Sequence, residues 1–291
     1  MIRAMILAPE SLRGKTFVVT GANQGIGFQA AQAFVGAGAD VVMVCRTRDK
    51  GEAAQLLLQA MPGAGGVRLV LADVSLKADC RRATQEILET TPRIDVLLNN
   101  AGVLATSYRK TSEGHEHTYA TNHLGYFAMA LGLLPRLREH GGGRIVNVSS
   151  MAHRQAKIDW DDLELHTNFS AWRAYGNSKL FNILFTRELS RRTISMGVTV
   201  NCLHPGVVAT GFGKTDGGVA AFFSRLAAPF LTKAEDGAKT SIFLSASPAV
   251  ASVTGKYFSA SAEGRTSRLA QDDGAAAKLW QASEAATGLT A

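Results

Sequence analysis

Long apolar runs are missing from this 291-residue sequence, and their absence excludes a class of protein. No stretch approaches the ~20 consecutive apolar residues that a membrane-spanning helix needs. The opening fifteen residues, MIRAMILAPESLRGK, hold a short apolar patch but no small-residue cleavage site. We therefore expect neither a transmembrane segment nor a secretory signal peptide.

Cysteine is scarce. The three cysteines, Cys45, Cys80 and Cys202, are scattered, odd in number and never in a CxxC pair. This usage does not fit a disulfide framework and is typical of buried free thiols in a reducing compartment. We expect a cytoplasmic protein.

Two other signatures of catalysis are also absent. No Gly-x-Ser-x-Gly occurs, which disfavours a serine hydrolase. The segment GHEHTYATNH is rich in histidine, but His115 and His117 are two residues apart and would face different sides of a helix. The H-E-x-x-H zinc spacing is therefore missing, and we expect no metal site.

The charge balance is basic, with a net charge of +7 and a pI of about 9.5. The basic residues are dispersed, and no basic stripe interleaved with aromatic residues suggests a nucleic-acid partner. An excess of this kind also suits a phosphorylated small molecule.

Short β-branched runs alternate with longer helical patterns through most of the chain. The runs lie at 15–20, 40–45, 67–72, 95–99, 144–149, 198–203 and 256–259. The helical patterns lie at 25–37, 48–60, 76–90, 112–138, 172–195 and 234–246. This alternation predicts an α/β fold, a doubly wound parallel sheet of about seven strands with helices on both faces. We expect one domain over 1–291, with a core at about 12–260 and a helical tail at about 262–291 packed through Trp280.

A glycine-rich turn, TGANQGIG, follows the first predicted strand and precedes the first predicted helix. Gly21, Gly25 and Gly27 would bring backbone N–H groups and a helix N-terminus against a pyrophosphate. Their G-x-x-x-G-x-G spacing differs from the G-x-G-x-x-G dinucleotide fingerprint. A turn built only for tight helix–strand packing is the alternative.

Tyr175 and Lys179 lie four residues apart in AYGNSKLFNILF, on one face of a predicted helix. The spacing is common by chance, but here it joins other motifs. TGxxxGIG, NNAG at 99–102, NVSS at 147–150, YxxxK at 175–179 and HPGVV at 204–208 follow one another. In this order they resemble the short-chain dehydrogenase/reductase family, whose Rossmann-type fold agrees with the predicted sheet. RIVNVSSMAH, IDWDDL and GKYFS further resemble its retinol dehydrogenase-like branch, which is also similar to protochlorophyllide reductase, over roughly 12–285.

The resemblance implies a nicotinamide cofactor and the residues that bind it. These are Gly21, Asn23, Gln24, Gly25, Ile26, Gly27, Arg46, Asp73, Val74, Asn100, Ala101, Gly102, Tyr175, Lys179, Pro205, Gly206, Val208 and Thr210. Asp73 would touch the adenine edge, although a carboxylate there could equally cap a helix.

The end of the second strand favours NADP over NAD. An acidic residue there would bind the ribose 2′-OH and repel a 2′-phosphate. This sequence has Cys45 instead, followed by Arg46, whose guanidinium matches a phosphate. A solvated surface charge is the alternative interpretation of Arg46.

The same resemblance implies four catalytic residues, Asn122, Ser150, Tyr175 and Lys179. Tyr175 is the proton donor or acceptor. Lys179 would bind the nicotinamide ribose, and its ammonium, at ~4 Å and an effective dielectric of 20, would supply ~4 kcal/mol toward lowering the tyrosine pKa. Ser150 would hold the substrate oxygen, with Ser149 as its competitor. Asn122 would anchor a water beside Lys179, or only satisfy a helix kink.

A lid is expected at about 210–237, where six phenylalanine and leucine residues, among them Phe212 and Phe222, and the pair Gly217 and Gly218 occur. Such a lid favours lipophilic substrates, although a plain surface helix explains the pattern equally well. The sequence thus predicts an NADP-dependent oxidoreductase acting on a small carbonyl or alcohol, with a lipophilic aldehyde or ketone as the expected substrate. A protochlorophyllide reductase-like enzyme, a non-catalytic NADP-sensing protein and a homo-oligomeric state all stay open.

Overall fold

One mixed sheet organises the protein, whose computed structural model describes residues 7–206 and 233–290. The described strands are β1 Thr16–Thr20, β2 Asp40–Cys45, β3 Val67–Leu71, β4 Val96–Asn99, β5 Arg144–Val148, β6 Thr199–His204, β7 Tyr257–Ser259 and β8 Ala262–Glu263. They lie in the order β3-β2-β1-β4-β5-β6-β7-β8, and every pair is parallel except β7 with β8. The predicted doubly wound fold is confirmed, and all seven predicted strands are present to within one residue at each end.

The eighth strand is an addition to the predicted sheet. It pairs with β7 through a two-residue turn in which Ala260 and Ser261 have φ of +50° and +59°. Two positive φ angles define a hairpin turn that usually contains Asn-Gly. An Ala-Ser pair carries no such signal, so the sequence did not reveal the hairpin.

Eight helices are described around the sheet. They are α1 Gly25–Gly36, α2 Arg48–Gln59, α3 Lys77–Thr90, α4 His117–Tyr119, α5 Gly125–Leu137, α6 Ala171–Thr193, α7 Ala234–Ala246 and α8 Asp273–Thr287. The helix predicted over 112–138 begins only at His117. Gly114 has a φ of +90°, and the Glu116 carboxylate accepts hydrogen bonds from the backbone N–H of Thr118 (2.8 Å) and Tyr119 (2.7 Å).

Each face of the sheet packs against its own helices, because successive strand residues point to opposite sides. In β4, Leu97 belongs to the apolar cluster formed with α3, α5, α6 and α8. Its neighbour Leu98 belongs to the cluster formed with α1, α2 and α7. Burial on both faces explains why the strands are continuously apolar.

Trp280 anchors α8, as the sequence predicted. Its ring is 2% exposed and lies 4.9 Å from the ring of Phe127 and 6.1 Å from that of Phe185, measured between centroids. The Arg192 guanidinium lies over the indole ring at 4.2 Å from the ring centroid. The tail is thus part of the core. The predicted lid lies outside the described residues up to position 232, and its last five residues are the N-cap residue Lys233 and the start of α7.

Candidate active site

The strand order reverses between β1 and β4, so a crevice opens where these two strands end. Thr20, the last residue of β1, ties the two strand ends together. Its Oγ1 accepts hydrogen bonds from the backbone N–H of Asn100 (2.9 Å) and Ala101 (3.0 Å). The Asn100 side chain donates in return to the Thr20 carbonyl at 2.9 Å. Thr20 stands first in the TGANQGIG motif but was not singled out from the sequence.

The glycine turn lies in this crevice and leaves no room for side chains. A Cβ on Gly27 would lie 2.4 Å from both the Gly21 carbonyl oxygen and Asn100 Nδ2. Gly21 has a φ of +67° and Gly25 a φ of +59°. Glycine is therefore required by close approach at Gly27 and by backbone conformation at Gly21 and Gly25.

The N-terminus of α1 fits an anion. Gln24 is the N-cap residue, but its side chain makes no capping hydrogen bond, and the first turn, which includes Ile26, has no acidic residue. The first backbone N–H groups of a helix need an acceptor. A pyrophosphate at this turn would satisfy them and interact favourably with the helix dipole.

Arg46 and Asp73 meet where β2 and β3 end. Arg46 Nη1 lies 3.7 Å from Asp73 Oδ2, and the Arg46 side chain is 59% exposed. Cys45, just before it, is buried beneath the glycine turn, where the backbone N–H groups of Ala22 and Asn23 hydrogen-bond its sulfur. Burial nevertheless raises the pKa of the Cys45 thiol to about 11. The structure thus leaves one accessible guanidinium and no acid at the end of β2.

Asp73 is not a helix N-cap, so that alternative is wrong. Its Oδ1 accepts hydrogen bonds from the Ser75 backbone N–H (3.0 Å) and hydroxyl (2.7 Å). The first N–H groups of α3 donate instead to Glu113, from Lys77 at 2.7 Å and Ala78 at 3.0 Å. A capping residue 35 positions away in sequence leaves no local signal, which is why the sequence did not show it.

Asn122 lies in a π-helical turn, Ala120–Leu124, that joins α4 to α5. Its side chain accepts from the Val103 N–H at 2.7 Å and donates to the Val103 carbonyl at 2.9 Å. It also donates to the Ser178 hydroxyl at 3.0 Å. Asn122 therefore fixes the loop that follows Gly102, and single π-helical turns of this kind are frequent at functional sites.

The NNAG loop brings the cofactor turn and the catalytic helix together. A Cβ on Gly102 would lie 3.5 Å from Lys179 Nζ, and one on Gly21 would lie 3.0 Å from the Ala101 Cα. Val74, after β3, is buried with its carbonyl against Gly125 at the start of α5. The glycine turn, the NNAG loop and Lys179 thus border one crevice.

Ser150 contacts Tyr175, and this contact distinguishes Ser150 from Ser149, the other candidate for holding the substrate oxygen. The Ser150 side chain hydrogen-bonds the Tyr175 phenol. The Ser149 hydroxyl donates instead to the backbone carbonyl of Lys179 at 2.7 Å and is buried. Ser149 therefore fastens α6 to β5, while Ser150 faces the tyrosine.

Lys179 extends into the crevice between two aromatic rings. Its Nζ donates to the Val148 carbonyl at 3.1 Å and lies 5.5 Å from the Tyr175 ring centroid and 5.7 Å from that of Tyr126. The lysine side chain is buried, whereas Tyr175 keeps intermediate exposure. A helical spacing of four residues thus places the amine beside the phenol, as predicted.

The electrostatics of this pair differ from the prediction. Burial raises the pKa of the Tyr175 phenol to about 12, opposed only by the hydrogen bond with Ser150. Burial lowers the pKa of Lys179 to about 7. Without the cofactor, desolvation dominates for both groups, and Lys179 alone does not bring the tyrosine pKa down. The expected lowering also counted the charge of the oxidised nicotinamide, and it stays a prediction for the cofactor complex. At neutral pH the phenol is protonated, which is the form a proton donor needs.

Pro205 and Gly206 continue the chain beyond β6, and Gly206 has a φ of +89°. They lie at the same sheet edge as Ser150, since the Ser149 N–H donates to the Leu203 carbonyl at 2.7 Å. Val208 and Thr210 lie outside the described residues.

The described parts of the chain contain neither a group of three metal-ligating side chains nor a helix long and apolar enough to cross a membrane. The histidines of GHEHTYATNH diverge. His115 Nδ1 contacts Glu164 Oε1 at 2.9 Å, and His123 Nε2 contacts the Ser283 hydroxyl at 2.8 Å. All three cysteines are buried and free.

Comparison with known proteins agrees with this geometry. The family model for short chain dehydrogenases matches residues 15–217. The chain therefore belongs to the short-chain dehydrogenase/reductase family of oxidoreductases, which use a nicotinamide cofactor to interconvert alcohols and carbonyls.

The branch follows from individual relatives. Human retinol dehydrogenase 14 is 40% identical over 97% of this chain and 88% of its own length. Human retinol dehydrogenase 13 is 37% identical over 97% of this chain and 87% of its own length. The predicted retinol dehydrogenase-like branch is confirmed.

Solved structures support the fold. An uncharacterized protein from Mycobacterium paratuberculosis superposes with a TM-score of 0.78 at 34% identity, covering 95% of this chain and 94% of that one. A protein described as an NAD(P) dependent gluconate 5-dehydrogenase from Beutenbergia cavernae has a TM-score of 0.69 at 27% identity, covering 87% and 97%. That second structure holds NADP at low occupancy.

Proposed function

We propose that this protein is an NADP-dependent reductase of lipophilic aldehydes or ketones, able to run in the alcohol-oxidising direction. The observation that carries the proposal is the contact of the Ser150 hydroxyl with the Tyr175 phenol, with Lys179 beside them and next to Gly102 of the NNAG loop. When bound, the cofactor supplies the hydride.

The residues of the chain supply position and a proton. Ser150 and Tyr175 place two hydroxyl groups where one carbonyl oxygen can receive both hydrogen bonds. Donation from two fixed groups polarises the carbonyl, and Tyr175 then transfers its proton to the oxygen. Lys179 borders both the phenol and Gly102, and is the residue we assign to the ribose.

NADP preference rests on the end of β2. Arg46 is exposed, and its nearest acidic partner, Asp73, is 3.7 Å away in an exchangeable ion pair. A 2′-phosphate could take this guanidinium in a charge-assisted pair worth ~1.5–3 kcal/mol. Support also comes from the structural relative that holds NADP.

Arg46→Ala tests this preference. We expect the Kd of NADPH to rise at least ~10-fold, since 1.4 kcal/mol is a factor of ten, while the Kd of NADH changes little. Arg48→Ala is the matched control, because Arg48 pairs along its own helix with Glu52 at 3.1 Å. Equal wild-type affinities for the two cofactors, or an equal effect of both substitutions, would refute the assignment.

A lipophilic substrate is favoured by the side chains next to the reacting groups. Met151 follows Ser150 and is 50% exposed, and Trp172 is 47% exposed with its ring 6.0 Å from that of Tyr175. The indole Nε1 donates to Gln155 at 2.7 Å, which holds the ring in one orientation. Apolar surface of this kind beside a polar centre is typical of sites for apolar ligands.

The test is a series of straight-chain aldehydes followed at the NADPH absorbance band, together with retinaldehyde, aromatic ketones and steroids. Burial of each methylene contributes ~0.8 kcal/mol, so kcat/KM should rise up to ~4-fold per carbon until the site is filled. A flat series would contradict the lipophilic assignment. Tyr175→Phe should lower kcat at least ~100-fold while cofactor affinity stays within a few-fold.

NADPH binding without turnover of any compound in this panel would instead favour an NADP-sensing protein. Binding of a porphyrin-type pigment would favour the protochlorophyllide reductase-like alternative. Residence in the cytoplasm stays a prediction.

A further inference from the structure

His153 stands three residues after Ser150, in the short 3₁₀ turn Met151–Gln155, and is 1% exposed. Its ring Nδ1 lies 2.6 Å from the backbone carbonyl oxygen of Ser150. Its own backbone N–H donates to the same oxygen at 3.2 Å. The carbonyl of Ser150 is thus held twice by one residue.

The other ring nitrogen contacts the C-terminal part of the chain. The backbone N–H of Ser267 donates to His153 Nε2 at 3.3 Å. An N–H group can only donate, so Nε2 is the acceptor and Nδ1 carries the hydrogen that reaches Ser150. Burial lowers the pKa of the imidazole, in keeping with this neutral tautomer. The ring also packs edge-on against Tyr257, at 5.2 Å between centroids.

These contacts define the direction of the Ser150 side chain. On its N-terminal side, the Ser149 N–H is fixed to the Leu203 carbonyl at 2.7 Å. On its C-terminal side, His153 fixes the Ser150 carbonyl and therefore the following peptide plane. The Ser150 Oγ accepts from the Ala152 N–H at 3.2 Å, which directs its O–H outward as a donor.

We propose that His153 is a positioning residue, whose imidazole braces the main chain of Ser150 against the segment around Ser267 and so aims the Ser150 hydroxyl at the substrate oxygen. The inference rests on the proposed role of Ser150. It places part of the control of the reaction in the C-terminal segment, more than a hundred residues away in sequence.

Three substitutions separate the two ring contacts. In His153→Asn, the side-chain amide takes the place of Nδ1–H and can still donate to Ser150. In His153→Gln, the longer side chain can reach toward the Ser267 N–H, but the Nδ1–H group that donates to the Ser150 carbonyl is lost. His153→Phe keeps a ring and loses both contacts. All three are assayed on the best aldehyde of the panel, with NADPH affinity measured separately.

We expect kcat to fall about 10- to 100-fold in His153→Phe and His153→Gln, because misplacing a reacting group by about 1 Å can cost that much. His153→Asn should retain kcat within about threefold, and NADPH affinity should stay within about twofold in all three variants. Arg154→Ala is the matched control. It removes a different link to the same segment, the 2.8 Å bond from Arg154 to the Arg265 carbonyl, and should leave kcat unchanged.

A double-mutant cycle with Ser150→Ala distinguishes the possible failures. If Ser150→Ala leaves kcat intact, the proposed function fails. If Ser150→Ala lowers kcat, His153→Phe should add nothing further in that background. Independent, multiplying effects would overturn the inference, and so would an equal loss in His153→Asn and His153→Gln or an equal loss in Arg154→Ala.

Discussion

Replacement of the buried Lys179 by methionine should stabilise the cofactor-free protein while abolishing its turnover. The Lys179 amine donates to the Val148 carbonyl at 3.1 Å, but Asn182 Nδ2 donates to the same oxygen at 3.1 Å. Lys179→Met therefore leaves no carbonyl without a donor. Methionine has a similar length and no charge to desolvate, so packing should be kept.

The size of the effect follows from linkage. Burial lowers the pKa of Lys179 from 10.5 to about 7 in the folded protein. Between these two values the unfolded chain binds more protons, so the destabilisation is full below pH 7 and vanishes above pH 10.5. It amounts to about 4 kcal/mol at pH 7 and about 2 kcal/mol at pH 9. Loss of the hydrogen bond to Val148 offsets about 1 kcal/mol. The net gain should be about 3 kcal/mol at pH 7 and about 1 kcal/mol at pH 9.

Urea unfolding of the cofactor-free protein, followed by tryptophan fluorescence at both pH values, measures this difference. The thiol and phenol groups that titrate in this range are common to wild type and variant, and they cancel. Lys157→Met, at an exposed lysine, is the matched control and should change the free energy of unfolding little at either pH. A Lys179→Met protein that is less stable than wild type at pH 7, or whose gain does not shrink by pH 9, would refute the reasoning.

Four further substitutions test other parts of the site. Gly27→Ala would place a Cβ 2.4 Å from the Gly21 carbonyl oxygen. The substitution should lower the free energy of unfolding by ~1–3 kcal/mol and weaken NADPH binding. An unchanged Kd of NADPH by titration would contradict the assignment of the glycine turn to the pyrophosphate. Ser149→Ala should lower the free energy of unfolding in urea by ~1 kcal/mol yet keep kcat within twofold. Ser150→Ala should lower kcat ~100-fold. Similar kcat values for the two variants would contradict the assignment of Ser150, rather than Ser149, to the substrate. Glu113→Gln should destabilise the start of α3 by ~1 kcal/mol without changing kcat, and loss of activity would show that this cap reaches the site.

The strands and the glycine turn were predictable because their signals are local. A continuous run of apolar and β-branched residues such as DVVMVC indicates a strand that is buried on both faces. Gly21 and Gly27 were recognised because their motif stands between a predicted strand and a predicted helix. The Tyr175–Lys179 spacing likewise needed only the helix period.

The remainder depends on partners distant in sequence. Glu113 caps a helix that begins 36 residues earlier, and His153 receives a hydrogen bond from Ser267. Which of Ser149 and Ser150 faces Tyr175 depends on how β5 and α6 lie against each other. Two identical neighbouring residues carry no signal of that packing in the sequence. The pairwise Coulomb argument for the pKa of Tyr175 left out desolvation, which is the largest cause of the pKa shift for both Tyr175 and Lys179.

Trp280 also has a consequence for how the chain is made. It completes an apolar cluster that already contains Val18 of β1 and Leu97 of β4. At a synthesis rate of ~5–20 residues per second, tens of seconds separate the emergence of Val18 from that of Trp280. During that time the sheet face under α5 and α6 lacks the indole of Trp280, and incompletely packed apolar surfaces of this kind favour aggregation. We expect the newly made chain to depend on chaperones until α8 leaves the ribosome.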